Sequence, residues 1–257
     1  MLAQDVKFLS RKIGQNSEKI AYMQQNGRTD RPGLVFLGGF RSDMTGSKAN
    51  TLAAYAASQN LAYLRFDYFG HGQSSGDFLQ GTLSYWRAEV LDILAQLTKG
   101  RQILVGSSFG GWLSLMMAEA LRDKIAALVL IAPAVDMTHR LMWQEFSQTE
   151  RDTLIKEGII YIPSEYDEKG YPITRKLIED GKQYLMLDKG IAYHGPVRIL
   201  HGQKDTAVPY ALSLELAEKL QSTNVETYFI KDGDHSLSNP ENLALLTHIL
   251  DGLMPTL

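Results

Sequence analysis

With 257 residues and 44% hydrophobic content, the chain is large enough to bury a substantial core, which excludes pervasive disorder. Its 26 Lys and Arg nearly balance 29 Asp and Glu, for a net charge of −3 and no basic stripe, which argues against nucleic acid or an anionic membrane as a partner. Zero cysteines exclude disulfides, thiolate-ligated metals and a thiol nucleophile.

The opening MLAQDVKFLSRKIGQNSEKIAY intersperses charges where a secretory signal needs an unbroken apolar run, so it reads as mature sequence. The most apolar stretch, residues 125–135, is about half the ~20 residues that a membrane span needs. The expectation is a cytoplasmic protein without membrane insertion. Residues 6–9 and 20–24 predict an edge hairpin. Short apolar strands follow at 34–37, 62–66, 103–105, 127–131, 197–200 and 225–230. Between them, three- and four-residue apolar spacing predicts helices at 46–58, 83–97, 110–121, 210–220 and 241–253, the last with Asn239 as cap and Pro240 at its first position. Strand and helix in alternation predict one α/β domain over residues 1–257, with a mostly parallel eight-stranded sheet and helices on both faces. Residues 136–195 are too long for a single crossover helix and read as a helical cap insertion. Its apolar side chains, among them Leu141, Met142, Trp143, Phe146, Ile159, Ile160 and Tyr161, suit packing onto the domain or covering a substrate.

The chemistry concentrates at Ile103-Leu104-Val105-Gly106-Ser107-Ser108-Phe109-Gly110-Gly111, a buried strand entering G-x-S-x-G and then a helix. Such a turn exposes the central serine in strained geometry, and a Cβ at Gly106 or Gly110 would collide with it, so Ser108 is the candidate nucleophile and Ser107 a bystander. A serine needs a base, and the base needs an acid that holds its tautomer. Asp205, in HGQKD after the strand at 197–200, and His235, in GDH after the strand at 225–230, follow in the order Ser, Asp, His. Asp136 is the alternative acid. Asp232 and Asp234 lie too near the histidine in sequence to orient it. His71, His139, His194 and His248 read as packing or surface residues, and His201 as a support of the acid loop. The backbone N–H groups of Phe40 and Phe109 are the candidate oxyanion donors. Arg41, beside the first of these, could meet a substrate carboxylate or phosphate. Arg41, Trp143, Phe146 and Tyr161 are the candidate substrate contacts. The glycine-rich stretch 67–76 lacks the spacing and lysine of a nucleotide loop and reads as structural.

Strand-GSSFGG-helix, HGQKD and GDH in that order resemble the α/β-hydrolase superfamily over nearly the whole chain. GLVFLGGFRSDMTGSKA, LRFDYFGHGQSSG, QILVGSSFGGWL and VRILHGQKDTAVP are similar to the α/β-hydrolase-domain-containing protein ten group, whose mammalian mitochondrial member is described as an S-depalmitoylase and acyl-glucuronide esterase. The resemblance carries that family's Ser, Asp and His onto Ser108, Asp205 and His235. It implies a serine hydrolase of small-molecule or acyl-protein esters and thioesters, working through an acyl-enzyme with neither metal nor cofactor. The same triad also suits carbon–carbon bond hydrolysis or cofactor-free perhydrolysis, and the fold can serve as a ligand receptor without turnover.

Overall fold

The computed structural model describes residues 5–13, 16–164 and 167–257; residues 1–4, where the mature-terminus reading begins, lie outside the described residues. The expected hairpin is β1 (Lys7–Ile13) against β2 (Asn16–Gln25), antiparallel and at the sheet edge. Then come β3 (Gly33–Leu37), α1 (Ser47–Ser58), β4 (Tyr63–Phe66), α2 (Leu83–Leu97), β5 (Gln102–Ser107), α3 (Phe109–Ala120) and β6 (Ile125–Ile131). After β6 stand a π-helical turn (Thr138–Trp143), α4 (Gln148–Glu157), β7 (Ile159–Ser164), β8 (Asp167–Thr174) and α5 (Arg175–Gly181). β9 (Val197–Gly202), α6 (Ala211–Lys219), β10 (Val225–Ile230) and α7 (Pro240–Leu253) complete the chain. The main sheet has the order β1-β2-β4-β3-β5-β6-β9-β10, parallel from β4 to β10.

A parallel strand covered on both faces cannot afford a polar side, which is why the central β3 and β6 read as continuous apolar runs. In β3, Leu34 and Phe36 enter the core under α1 and α7, whereas Val35 and Leu37 enter the opposite core with Trp86, Trp112 and Phe109. β5 and β6 split the same way and are buried at every position. Four helices, α2, α4, α5 and α7, start where a short polar side chain accepts an orphan amide. Thr82 takes the N–H of Tyr85 at 3.2 Å, and Asn239 takes that of Asn242 at 2.8 Å ahead of Pro240. In α7, Leu246, Ile249, Leu250 and Leu253 repeat at helical spacing and are buried.

The segment between β6 and β9 adds to the expected helical cap insertion a separate antiparallel hairpin of β7 and β8. The cause is Ile159-Ile160-Tyr161-Ile162, a β-branched and aromatic run that packs better on a pleat than on a helix. Gly158, at φ 82°, ends α4 directly before it, and Ser147 with Glu150 forms a reciprocal cap at that helix's start. Among the described residues no helix is long and apolar enough to cross a membrane.

This topology sends the loops after β3, β5, β9 and β10 to one edge of the sheet, at the carboxyl ends of its parallel strands. That edge is where open α/β sheets hold ligands.

Candidate functional site

Ser108 sits between β5 and α3 at φ 54°, ψ −117°, a backbone region that a non-glycine residue occupies only under tertiary constraint. Its N–H donates to Ile131 O at 2.8 Å, and its carbonyl accepts from Gly111 and Ala134 N–H. The turn is as crowded as the motif demands. A Cβ on Gly106 would lie 2.5 Å from both Gly110 O and Ser114 Oγ, and one on Gly110 would lie 2.1 Å from Leu37 O and 2.5 Å from Gly38 O. Since the obstacles at Gly110 are backbone atoms of β3 and its loop, Gly110→Ala is expected to cost about 2 kcal/mol or more. Thermal melting reads this as a Tm lower by several degrees, and turnover falls with it as the loop after β3 is displaced.

Ser108, His235 and Asp205 stand in one hydrogen-bonded chain. His235 Nε2 lies 3.1 Å from Ser108 Oγ, and its Nδ1 lies 2.7 Å from Asp205 Oδ2. The loops that carry the acid and the histidine are tied to each other: Gln203 N–H donates to Ile230 O at 2.8 Å and Lys204 N–H to Gly233 O at 2.9 Å. Lys48, whose burial pulls its ammonium down to about 8, donates to Ser236 O and, at 3.3 Å, to Ser238 Oγ, bracing the histidine loop from α1.

Asp205 is buried and fully engaged. Oδ1 accepts the N–H groups of Ala207 and Val208 at 2.9 and 2.8 Å, while Oδ2 takes His235 and, at 3.1 Å, His201 Nε2. Burial pushes this carboxyl up, but the hydrogen bonds from His201 and His235 outweigh it and hold the group below the usual carboxylate range. His201, fully buried, thus contacts the acid's side chain and not only the backbone of its loop, while Ser213 Oγ meets its Nδ1 at 2.6 Å. Asp136, the alternative acid, is elsewhere. Its carboxylate accepts Met186 and Leu187 N–H at 2.8 and 3.1 Å, closing the loop before β9.

Among the described residues, neither the Phe40 nor the Phe109 amide N–H donates to a protein acceptor. Their rings meet edge to face at 5.9 Å and both pack on Trp86, which fixes the two loops against each other. Among the described residues no cluster of three or more His, Asp or Glu side chains is placed to hold a metal.

A cavity of about 840 Å³ opens onto Ser108 and His235. Its lining includes the polar Arg41, Ser42, Asp43 and Lys48 and the apolar or aromatic Met137, Leu141, Met142, Ile162, Tyr171 and Ile173. Arg41 lines the cavity, stacked over the rings of Phe78 and Tyr171. Trp143, Phe146 and Tyr161 do not line it, which corrects their assignment as substrate contacts. Phe146 is buried in the core, Trp143 packs beneath Arg151 and Lys182, and Tyr161 is 59% exposed. Strand alternation explains the last: β7 turns Ile160 and Ile162 inward, so Tyr161 faces out. Ile162, which does line the cavity, is one position away on the same strand.

The sequence profile of the Alpha/beta hydrolase family matches residues 34–244. A bovine protein named palmitoyl-protein thioesterase ABHD10, mitochondrial, is 37% identical over 98% of this chain and 81% of its own length. Among solved structures, a putative hydrolase from Agrobacterium vitis S4 superposes with a TM-score of 0.94 at 36% identity, covering 98% of this chain and 99% of that one. Mouse alpha/beta hydrolase domain-containing protein 10 superposes at 0.89 and 35% identity with the same coverage. These names correct the expectation of a cytoplasmic protein, because the bovine, human, mouse, rat and orangutan relatives are all named mitochondrial. On sequence and fold together, the chain belongs to the alpha/beta hydrolase family and groups there with ABHD10.

Proposed function

We propose that this protein is a serine hydrolase of carboxylic esters and thioesters with a preference for long acyl groups, and that Ser108, His235 and Asp205 carry the reaction. The observation that supports this most is the unbroken hydrogen-bonded chain from Asp205 through His235 to Ser108. Because the Asp205 carboxylate faces His235 Nδ1, the imidazole proton belongs on that nitrogen, and the Nε2 lone pair is left facing Ser108 Oγ. His235 takes the serine proton as Oγ attacks the acyl carbon. The Phe40 and Phe109 amides receive the developing oxyanion, and His235 then protonates the departing alkoxide or thiolate. Water, deprotonated by the same nitrogen, releases the acid.

The segment at 136–195 acts as a cap on a single domain of residues 1–257. Its apolar side chains Leu141, Met142, Ile162 and Ile173 line the cavity. That volume lies in the upper part of the usual range for ligand pockets, and these apolar side chains suit a hydrocarbon chain. The name palmitoyl-protein thioesterase, borne by the ABHD10 relatives, fits the same chemistry.

Hydrolysis rates across matched oxyesters and thioesters from acetyl to palmitoyl test the substrate class. The expected result is a kcat/KM that climbs with chain length and is at least as high for thioesters. A maximum at acetyl or butyryl would contradict the long-acyl reading.

A further inference from the structure

The glycine-rich turn after β4 has no assigned role in the reaction, yet three of its side chains reach back to the loop that carries Phe40. Tyr68 OH donates to Gly38 O at 3.2 Å, His71 Nε2 accepts the Arg41 N–H at 3.1 Å, and Asp67 Oδ1 accepts the Met44 N–H at 2.7 Å. These contacts fall before and after Phe40, so they fix the course of that loop on both sides of the candidate oxyanion donor. The turn is itself anchored from α2. The buried Glu89 carboxylate takes the Phe69 N–H at 2.9 and 3.1 Å, and Trp86 Nε1 donates to Phe69 O at 3.0 Å.

Of the three, His71 holds the amide next to the donor, that of Arg41. Its partner at Nε2 is a backbone N–H, which can only donate, so that nitrogen must be the acceptor and the ring proton sits on Nδ1, directed at Phe69 O at 3.0 Å. Tyr68, Phe78 and Trp86 enclose the ring edge to face at 5.4, 5.1 and 5.5 Å, leaving it one orientation. Burial pulls its pKa down to about 4, which keeps the ring a neutral acceptor. Arg41 itself holds φ 60°, in the left-handed region that side chains avoid. An amide in such a conformation stays put when a fixed acceptor holds it.

We propose that His71 is a positioning residue for the oxyanion donor: by holding the Arg41 N–H it presets the peptide that follows Phe40, and so aims the Phe40 N–H before substrate arrives. The proposal rests on the reading of Phe40 as an oxyanion donor and of Ser108 as the nucleophile. A preset donor needs no reorganisation as charge develops, so its loss should appear in the transition state and not in substrate binding.

The test compares His71→Leu, which keeps bulk without an acceptor, with His71→Gln, whose amide oxygen reaches the position of Nε2. Each full-length variant is assayed for kcat and KM on p-nitrophenyl octanoate and for affinity toward 1-octaneboronic acid, which forms a tetrahedral adduct on a nucleophilic serine. In His71→Leu, kcat should fall about ten- to a hundred-fold with KM within about twofold and boronate affinity lowered by a similar factor. His71→Gln should recover most of both. A wild-type kcat in His71→Leu, a change confined to KM, or equal losses in the two variants would overturn the proposal. Ser108→Ala in parallel separates the two readings: an inactive Ser108→Ala beside a fully active His71→Leu defeats only the positioning role, whereas an active Ser108→Ala defeats the nucleophile assignment beneath it. If His71→Leu does not fold, Tyr68→Phe decides, since it releases Gly38 O with almost no change of shape. A kcat lowered several-fold at constant KM supports the brace, and an unchanged kcat overturns it.

Discussion

Replacement of Ser108 by alanine is expected to lower kcat by about 10⁵- to 10⁶-fold while leaving the fold intact. The size of the loss follows from chemistry: without Oγ there is no acyl-enzyme, and the two amides with the cavity alone retain a small residual rate. The fold survives because the Ser108 side chain contributes little to it. Ser108 Oγ meets His235, makes no capping bond to α3, and the left-handed backbone is no harder for alanine than for serine. Stability should shift by about 0.5 kcal/mol or less. Rates with an activated ester, measured beside a thermal melt, check both halves.

Asp205→Asn should lower kcat by about 10⁴-fold, and the direction of its hydrogen bonds says why. The amide oxygen must occupy the Oδ1 position, because Ala207 and Val208 both donate there. The NH₂ then occupies the Oδ2 position and donates to His235 Nδ1. That forces the imidazole proton onto Nε2, so no lone pair faces Ser108. His201 is disturbed as well, since its Nε2 lies 3.1 Å from Oδ2 and 2.9 Å from Val208 O. Steady-state kinetics with a stability control would reveal the effect, and a loss under tenfold would contradict it. The pH behaviour follows from the same contacts. Asp205 has a folded pKa below its ordinary value, so the stability it contributes is complete above the unfolded pKa of about 3.9 and is lost only as pH falls through the lower folded value. Asp205 therefore stays ionised throughout the neutral and mildly acidic range, and its protonation does not set the acid limb of the rate profile.

Much of this could be read from the chain because the controlling signals are local. The elbow is a contiguous strand, turn and helix, and its two glycines are required by close neighbours, Gly106 by atoms of α3 and Gly110 by backbone of β3 and its loop, so nine residues carry the signal. The acid and the histidine follow the neighbouring parallel strands β9 and β10, and parallel strands deliver their next loops to one edge. What escaped the sequence depends on side-chain direction or on contacts between distant segments. Apolarity alone does not fix the phase of a strand, so the sequence points to Tyr161 where Ile162 is the residue that lines the cavity. The length of the insertion suggests a helical cap, whereas the run at 159–162 carries a strand signal. His71 read as a packing histidine since its partner is an amide thirty positions earlier, visible only once β3 and β4 lie side by side. The position of His201 in HGQKD points to a support of the acid loop, while its bond to the Asp205 carboxylate arises only from the curvature of that loop.

The most direct measurement is to trap the acyl-enzyme. The protein is mixed with a fluorophosphonate, or quenched in acid during turnover of a slow acyl ester, then digested with trypsin and sequenced by mass spectrometry. One adduct is expected on the peptide 102–122, with fragment ions assigning it to Ser108 and not to Ser107 or Ser114, and none in Ser108→Ala. An adduct on any other residue, or sustained turnover without an adduct, would contradict covalent catalysis by Ser108.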